Sequence, residues 1–528
     1  MKKLVFLYLL LLCASPGQAQ VTVQKYHRAG GAAKRNLEQL SSGNLFTGLS
    51  YGSGVSLMDA HGNFIQTRDF DYQPFTVLQS VKRHTDNEFY FVCGILADSC
   101  EVEETLEVNP VIGKMDSLGN ILSLYHYQLN AVTCNNNASD LLITSDAGAV
   151  VWGRDESFFT LRVDPNGMPL WSKQFNHNGS VAFVREFPSG DLLAGFNMDT
   201  AGVALARMNA AGEILWCKSY VRPKGNLQDC VIESDSMFIV SGYTDSIAST
   251  NALIPLPMDY QPKLFMMKVN GTGQVQWCKG YAGEPRWYAR KGVRMVRTLD
   301  GKYVVLANIG LPNNNIEYRP FLMKTDQNGD TLWTRSVGAA GYTYSTINMM
   351  ASADGGFYYD GIAYGEFGQW SSAGYLFKTD ALGHLPCHER THPIEVMDLF
   401  PTDSSFTLNF VEGAVAMATT NTEVTYDPIV TFDGCTFATD LPSVSRPPRK
   451  ASVRPNPNTG RFNLDFKDPL QANSWYSVYD ALGKLLFQRP LGKGKATEEI
   501  DLTRYGKGTY VIKCNDPTGV YHERVVVE

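Results

Sequence analysis

The stretch LMKTDQNGDTLWTRSVG, Leu322 to Gly338, alternates side chains, turns at Asp326 to Gly329, and leaves the turn on Leu332 and Trp333. An Asp that opens a turn can accept hydrogen bonds from its own backbone, and a Gly three residues later supplies the positive φ that a tight hairpin demands. The stretch therefore predicts two antiparallel strands joined by a short turn. Six relatives share the pattern: SLMDAHGNFIQTRDF (56–70), IGKMDSLGNILSLYHY (112–127), TLRVDPNGMPLWSKQF (160–175), LARMNAAGEILWCKSY (205–220), MMKVNGTGQVQWCKGY (266–281) and LFKTDALGHLPCHER (376–390). Their common glycines, Gly62, Gly119, Gly167, Gly212, Gly273, Gly329 and Gly383, lie 57, 48, 45, 61, 56 and 54 residues apart. Trp171, Trp216, Trp277 and Trp333 recur at one position of the outgoing strand. A large aromatic there can pack between neighbouring sheets, so Asp, Gly and Trp read as structural residues.

A second hairpin precedes each copy, for example TLDGKYVVLANIG before the opening stretch, and the full unit is a four-stranded antiparallel meander with strands a to d. Repeated meanders of this length are the signature of a β-propeller. Residues 396–420 supply what reads as a further a and b pair, while the segment VTVQKYHRAGGAAKRN from Val21 reads as a d strand with its exit loop. Pairing the N-terminal strand into the last blade would remove two exposed sheet edges. The expectation is an all-β chain: an eight-bladed propeller of four-stranded antiparallel blades over residues 20–440. Seven blades with a decorated end is the alternative.

Composition narrows the partners. Of 528 residues, 44% are hydrophobic, 12% aromatic and 47 are Gly, which suits a β-rich fold with many turns. Charged residues make up 19% with a net charge of −7, and no long basic run exists, so nucleic acid is excluded as the main partner. Lys2 and Lys3 precede the apolar run LVFLYLLLLC and the small residues Gly17 and Ala19, which reads as a signal peptide over 1–19. No later run reaches the ~20 apolar residues of a membrane-crossing helix, so the mature chain is expected to lack one. After cleavage nine cysteines remain, an odd number. Cys93 with Cys100 and Cys387 with Cys435 are the expected disulfides, and no zinc spacing is present.

In a meander the b–c and d–a connections emerge at one end of the blade. Here they are long, variable and aromatic, as in YTDSIASTNALIPLPMDYQP (243–262) and YAGEPRWYARKG (281–292). Variable loops over rigid strands are where scaffolds place recognition. The candidate ligand-binding residues are Tyr243, Tyr260, Arg286, Trp287, Tyr288, Tyr318, Phe367 and Trp370, aromatic and Arg side chains that suit a protein or glycan partner. Glu101, Glu103, Glu104 and Glu107 make one loop acidic and offer the carboxylate oxygens that calcium takes, but it lacks the spacing of a calcium loop; no cofactor is expected, with calcium as the alternative. No GxSxG, HExxH or other catalytic constellation is visible, so no catalytic residue is named. A binding protein is the first reading. A secreted polysaccharide- or peptide-degrading enzyme with a site at the channel mouth, or a structural surface-layer component, is the alternative.

A Pro- and base-rich linker, LPSVSRPPRKA (441–451), precedes a tail of different composition. It contains Pro455, Asn456 and Pro457 with Gly460, Tyr479 and Asp480 with Gly483 and Lys484, and Gly508 with Tyr510, before a Val-rich end. Residues 452–528 resemble the type A C-terminal sorting domain of the Bacteroidetes type IX secretion system. The resemblance implies a small β-sandwich, recognised by the type IX machinery after Sec export, and a protein that is secreted or held at the outer-membrane surface.

Overall fold

A computed structural model describes residues 22–28, 34–49, 53–70, 78–97, 107–129, 137–154, 158–198, 202–220, 225–244, 263–283, 288–311, 317–339, 341–367, 370–385, 387–419, 423–426, 430–433, 451–467, 474–480, 485–516 and 519–528. The chain divides into two compact units, Met1–Ala438 and Thr439–Glu528.

Six meanders follow one another in the first unit. Blade 1 is Lys34–Gln39, Leu45–Leu49, Ser53–Met58 and Phe64–Phe70; blade 2 is Ser80–Thr85, Glu88–Ala97, Glu107–Met115 and Ile121–Leu129. Blade 3 is Ala138–Ile143, Ala149–Arg154, Phe158–Val163 and Pro169–Phe175; blade 4 is Gly179–Glu186, Leu192–Met198, Gly202–Met208 and Ile214–Tyr220. Blade 5 is Gly225–Ser234, Met237–Thr244, Lys263–Asn270 and Val275–Gly283; blade 6 is Tyr288–Arg297, Tyr303–Leu311, Glu317–Thr325 and Thr331–Val337. Blade 7 takes strands a to c from Thr343–Ala351, Phe357–Phe367 and Trp370–Thr379. Its d strand is the N-terminal segment Val23–Arg28, antiparallel to the c strand with Val23 opposite Lys378. The a strands of successive blades touch, and that of blade 7 touches that of blade 1, so the ring closes around an axis. The N-terminal closure expected from sequence is present, but it completes the seventh blade.

Residues 389–433 do not build an eighth blade. They supply seven short strands, Glu389–Arg390, Ile394–Asp398, Asp403–Ser405, Phe410–Val411, Ala414–Ala418, Glu423–Tyr426 and Val430–Asp433. Each pairs antiparallel with the d strand of a different blade, in the order 6, 5, 4, 3, 2, 1, 7. The segment is a belt that runs against the chain order and gives every blade a fifth strand. The physical reason is length: strands of two to five residues are too short to bury a meander of their own, yet long enough to cap an exposed edge. The alternative, seven blades and a decorated end, is the architecture found.

The repeated turn does the work between blades. Asp326 Oδ1 accepts from the amides of Asn328 and Asp330 at 2.8 and 2.9 Å, and the same pattern recurs at Asp59, Asp116, Asp164, Asn270 and Asp380. All seven turn glycines have φ between 78° and 84°. Each also lies against the d strand of the preceding blade. Trp171 covers Gly212, Trp216 covers Gly273, Trp277 covers Gly329 and Trp333 covers Gly383, where an added Cβ would stand 2.6 to 3.0 Å from the indole. Where Trp is absent, Tyr125 covers Gly167, the stem of Arg68 covers Gly119, and Lys25 of the closing strand meets Gly62. Indole N–H groups of Trp171 and Trp216 donate to the carbonyls of Ala210 and Gly271 in the next blade, at 3.0 and 2.9 Å. Hydroxyls of Tyr127, Tyr220 and Tyr281 donate to the turn carbonyls of Gly167, Gly273 and Gly329, each at 2.8 Å.

Cys93 is a free thiol, not half of a bridge with Cys100. It points with Phe89 and Phe91 into the apolar cluster between blades 1 and 2, and burial pushes its pKa up to about 12. Nearness in sequence to Cys100 does not decide which face of a strand a Cys occupies. Cys100 itself lies outside the described residues. Cys387 is disulfide-bonded, and its expected partner Cys435 lies outside the described residues.

The second unit is a β-sandwich. One sheet contains Ala451–Arg454, Arg461–Phe466 and Thr497–Asp501; the other contains Leu485–Leu491, Ser474–Tyr479, Gly508–Asp516 and Gly519–Val527. Alternating residues Phe462, Leu464 and Phe466 of one sheet meet Tyr476, Val478, Ile512 and Cys514 of the other.

Gly383→Ala should destabilise the propeller by about 2–3 kcal/mol, because the new Cβ combines a left-handed φ with a clash against Trp333. Gly190→Ala, at a turn with φ of 86° but nothing within 4 Å of the new Cβ, should cost only about 1 kcal/mol. Urea midpoints that fall equally in both variants would show that the inter-blade contact adds nothing.

Candidate functional site

The loop-face candidates come from three blades. Tyr243 is the last residue but one of the b strand of blade 5, half-buried against the apolar cluster shared with blade 6. Tyr288 and Tyr318 both stand opposite Gly310, one on each side of it in the sheet of blade 6. Phe367 and Trp370 are cross-strand partners at the tip of the b–c hairpin of blade 7. Tyr260, Arg286 and Trp287 lie outside the described residues, as does the acidic loop residue Glu101 with Glu103 and Glu104. Tyr243, Tyr288, Tyr318, Phe367 and Trp370 thus all sit at the loop end of their blades, in three separate sheets, and the backbone brings only Phe367 with Trp370, and Tyr288 with Tyr318, into register.

A site that sequence reading missed lies on the axis. A cavity of about 240 Å³ is lined by side chains from the a strands of all seven blades. Taken blade by blade, these include Glu38, Lys82, Asp140, Arg185, Asp229, Arg294 and Asn348. The sign of charge alternates around the ring. A ring of seven cannot alternate throughout, and the odd position is filled by neutral Asn348, whose amide donates to Asp360 of its own blade at 3.0 Å. Local backbone geometry places these groups. In blades 1, 3, 4, 5 and 7 the a strand carries a bulge ending at Leu37, Asp140, Phe183, Asp229 and Asn348. A bulge bends its strand and re-aims the next side chain, here at or beside the ring position.

Two carboxylates tie neighbouring blades together. Asp229 accepts from its own neighbour Cys230 N at 2.8 Å, from Met295 N of blade 6 at 2.9 Å, and from the guanidinium of Arg185 of blade 4. Asp140 accepts from Leu141 N at 2.9 Å, from the Ser80 hydroxyl of blade 2, and from Asn36 of blade 1 at 3.4 Å. Burial alone would raise the Asp140 carboxyl. Lys82, the Ser80 hydroxyl, the Leu141 amide and Arg294 outweigh it and hold the group below the usual carboxylate range. At Glu38 burial wins over the opposing charges of Lys82 and Arg83, and the carboxyl is raised. The ring therefore holds two carboxyls pushed in opposite directions.

The tail motifs are joints of the sandwich. Asn456 donates to Arg524 O at 2.7 Å and accepts from Val526 N at 2.9 Å, which pins the segment between Pro455 and Pro457 to the last strand. Gly460 N donates to Asn458 Oδ1 at 2.8 Å, and a Cβ at Gly460 would stand 2.8 Å from Thr503. The Tyr510 hydroxyl lies 2.8 Å from the carbonyls of Tyr505 and Gly506, holding the turn that leads into Gly508. Tyr479 and Asp480 close the strand Ser474–Tyr479, while Gly483 and Lys484 lie outside the described residues. Cys514 is buried and free.

Opposite pH behaviour follows for Asp140 and Glu38. The Asp140 pKa is depressed on folding, so its contribution is present at neutral pH and is lost as pH falls below about 4, the unfolded carboxylate range. Asp140→Asn should lower stability at pH 7 by about 2 kcal/mol, and the difference from the wild type should shrink below pH 4. The Glu38 pKa is raised on folding, so its ionised form opposes folding above that pKa. Glu38→Gln should raise the Tm at pH 8 and converge on the wild type as pH falls toward 4. Parallel shifts of both variants at every pH would contradict this assignment.

Residues 452–528 match the secretion system C-terminal sorting domain family. No curated protein matches the chain. Among solved structures, a protein of unknown function from Bacteroides caccae aligns at 10% identity over 70% of this chain and 93% of that one, with a TM-score of 0.31. An extracellular domain from Bacteroides thetaiotaomicron aligns at 9% identity over 97% of this chain and 98% of its own, with a TM-score of 0.16. A complex of S. cerevisiae Dbp5 with Nup159 and Gle1 contains a chain aligned at 10% identity over 68% and 94%, with a TM-score of 0.35. At such TM-scores these likenesses carry no inference. Among the described residues no helix is long and apolar enough to cross a membrane. The chain is thus a β-propeller that carries a type IX secretion sorting domain at its C-terminus, and its destination is the cell surface or the medium.

Proposed function

We propose that the propeller is a binding module, presented outside the cell, that takes a protein or glycan on the face where the b–c and d–a connections emerge. One observation carries this reading: the two ends of the blades are built differently. The c–d turns are four or five residues long in every blade where chain order makes one, and the Gly of each lies against the d strand of the preceding blade. The b–c connections range from two residues in blade 7 to 18 in blade 5. Only the second end is free to vary without loosening the ring, and rigid strands with variable loops favour recognition.

A glycan and peptide array probed with the secreted protein tests this. Binding that weakens at least tenfold on Phe367→Ala with Trp370→Ala is expected, since aromatic anchors carry interface energy out of proportion to their number. No bound feature on the arrays, together with turnover of a polymer, would overturn the reading in favour of an enzyme. Removal of residues 452–528 should leave a folded propeller in the periplasm, read by fractionation and protease accessibility on intact cells. Arrival of the truncated chain at the surface would show that the tail is not its address.

A further inference from the structure

The charges of the axial ring are not equally satisfied. Asp140 and Asp229 each accept three hydrogen bonds, and Arg185 is taken up by Asp229 and by the carbonyls of Cys230 and Val184. Two cations facing the cavity are not. Among the described residues the Lys82 side chain makes no hydrogen bond or short ion pair, its charge acting on Glu38 and Asp140 from farther off, and the Arg294 side chain has one hydrogen bond, 3.3 Å to the adjacent carbonyl of Val293. Two amide oxygens are also open. Asn36 and Gln228 donate through their NH₂ groups, to Ser80 and Asp140 and to Leu227 O, and their side-chain carbonyls accept from none of the described residues. All four side chains are half-buried and line the cavity, so what they can still bind is whatever enters that space, water or a ligand. The space of about 240 Å³ is more than one water needs and lies below the roughly 300–1,000 Å³ of sites for drug-sized molecules.

We infer that the axial cavity binds one small hydroxy-carboxylate, of the size of a sugar acid, with its carboxylate held by Lys82 and Arg294 and its hydroxyls donating to Asn36 and Gln228. A guanidinium fork and an ammonium that face one cavity suit a carboxylate, because charge-assisted pairs are strong where water is scarce. Charge balance agrees. The six ionised ring residues sum to zero, so a bound monoanion leaves one negative charge uncompensated. Glu38 can remove it by taking up a proton. It faces Lys82 and Arg83 from blade 2 and Asp140 from blade 3, and its neighbours Met349, Met350 and Asn348 on blade 7 are uncharged. Binding is accordingly coupled to proton uptake and tightens as pH falls toward the raised Glu38 pKa. This site goes beyond the loop-face reading and does not depend on it.

Calorimetry on the full chain with galacturonate, gluconate and lactate, and with neutral galactose as the control, tests the assignment. At least one of the three acids should bind and galactose should not. The affinity should fall roughly tenfold or more in Lys82→Met and in Arg294→Met, the scale of one lost charge-assisted contact, and should recover in Lys82→Arg. Glu38→Gln should bind more tightly at pH 8 and lose the pH dependence and the proton uptake seen across buffers of different ionisation enthalpy. Failure of all three acids to bind at about 10 mM, equal binding of galactose, or full binding in both Met variants would overturn the proposal. The comparison of acids with galactose on the wild-type protein decides the matter even if a channel variant does not fold.

Discussion

The contact between the head of one blade's d strand and the turn glycine of the next is the joint on which the ring depends. It recurs at every interface, made by Trp at four of them, by Tyr125 at one, by the stem of Arg68 at another, and by the N-terminal strand through Lys25 at the last. The turn must be left-handed at Gly for the hairpin to form, and the same missing Cβ leaves the flat place on which an indole can lie. One residue type therefore meets a local and a tertiary demand together. Because the contact passes from each blade to its successor, the ring has no natural end until the first and seventh blades meet, which is why the N-terminal strand must return to the last sheet.

This double demand explains which features could be read from sequence. Asp, Gly and Trp at fixed offsets are chemically narrow, so the c–d hairpins stood out, and the d-like character of the segment around Tyr26 followed from comparison with them. The tail was legible for the same reason: Asn456, Gly460 and Tyr510 each make a contact that few other residues could make. The belt was not legible, since strands as short as Phe410–Val411 carry no period, and their pairing is set by proximity to an open edge rather than by pattern. Cys93 was misplaced because strand parity, which turns it inward with Phe89 and Phe91, outweighs its nearness to Cys100. Of the candidate site, the loop positions were legible as an end of the blades and no further. The channel ring left only one trace, a charged residue in the a strand of six blades, where other charged residues such as Arg35, Arg83, Glu186 and Arg297 stand beside it, and the bulges that align the ring residues on the axis shift their spacing from blade to blade.

The axial ring shows how the interior tolerates six charges. Each carboxylate reaches beyond its own strand, Asp229 across three blades and Asp140 across three. Opposite charges in alternation lower the cost of burying any one of them, and good hydrogen-bond geometry is what makes a buried pair tolerable. The same ring would be unstable with seven charges, for somewhere two of like sign would adjoin. A neutral residue at the seventh position removes that conflict, and Asn348, bonded within its own blade to Asp360, leaves the neighbouring charges undisturbed.

The belt sets a limit on how this fold can change through descent. Its first and last strands begin at Glu389 and Val430, 41 positions apart across six steps, so each blade is spanned by about seven residues of belt. At ~3.3 Å per extended residue that is roughly 23 Å of perimeter. Propellers enlarge by duplicating a blade, which here adds some fifty residues in one place. A duplication in this chain would leave the belt one step short, with its final strand unable to reach Val23–Arg28. Gain of an eighth blade therefore needs a second, separate insertion near residue 400 at the same time, and the belt acts as a gauge that holds the number of blades at seven.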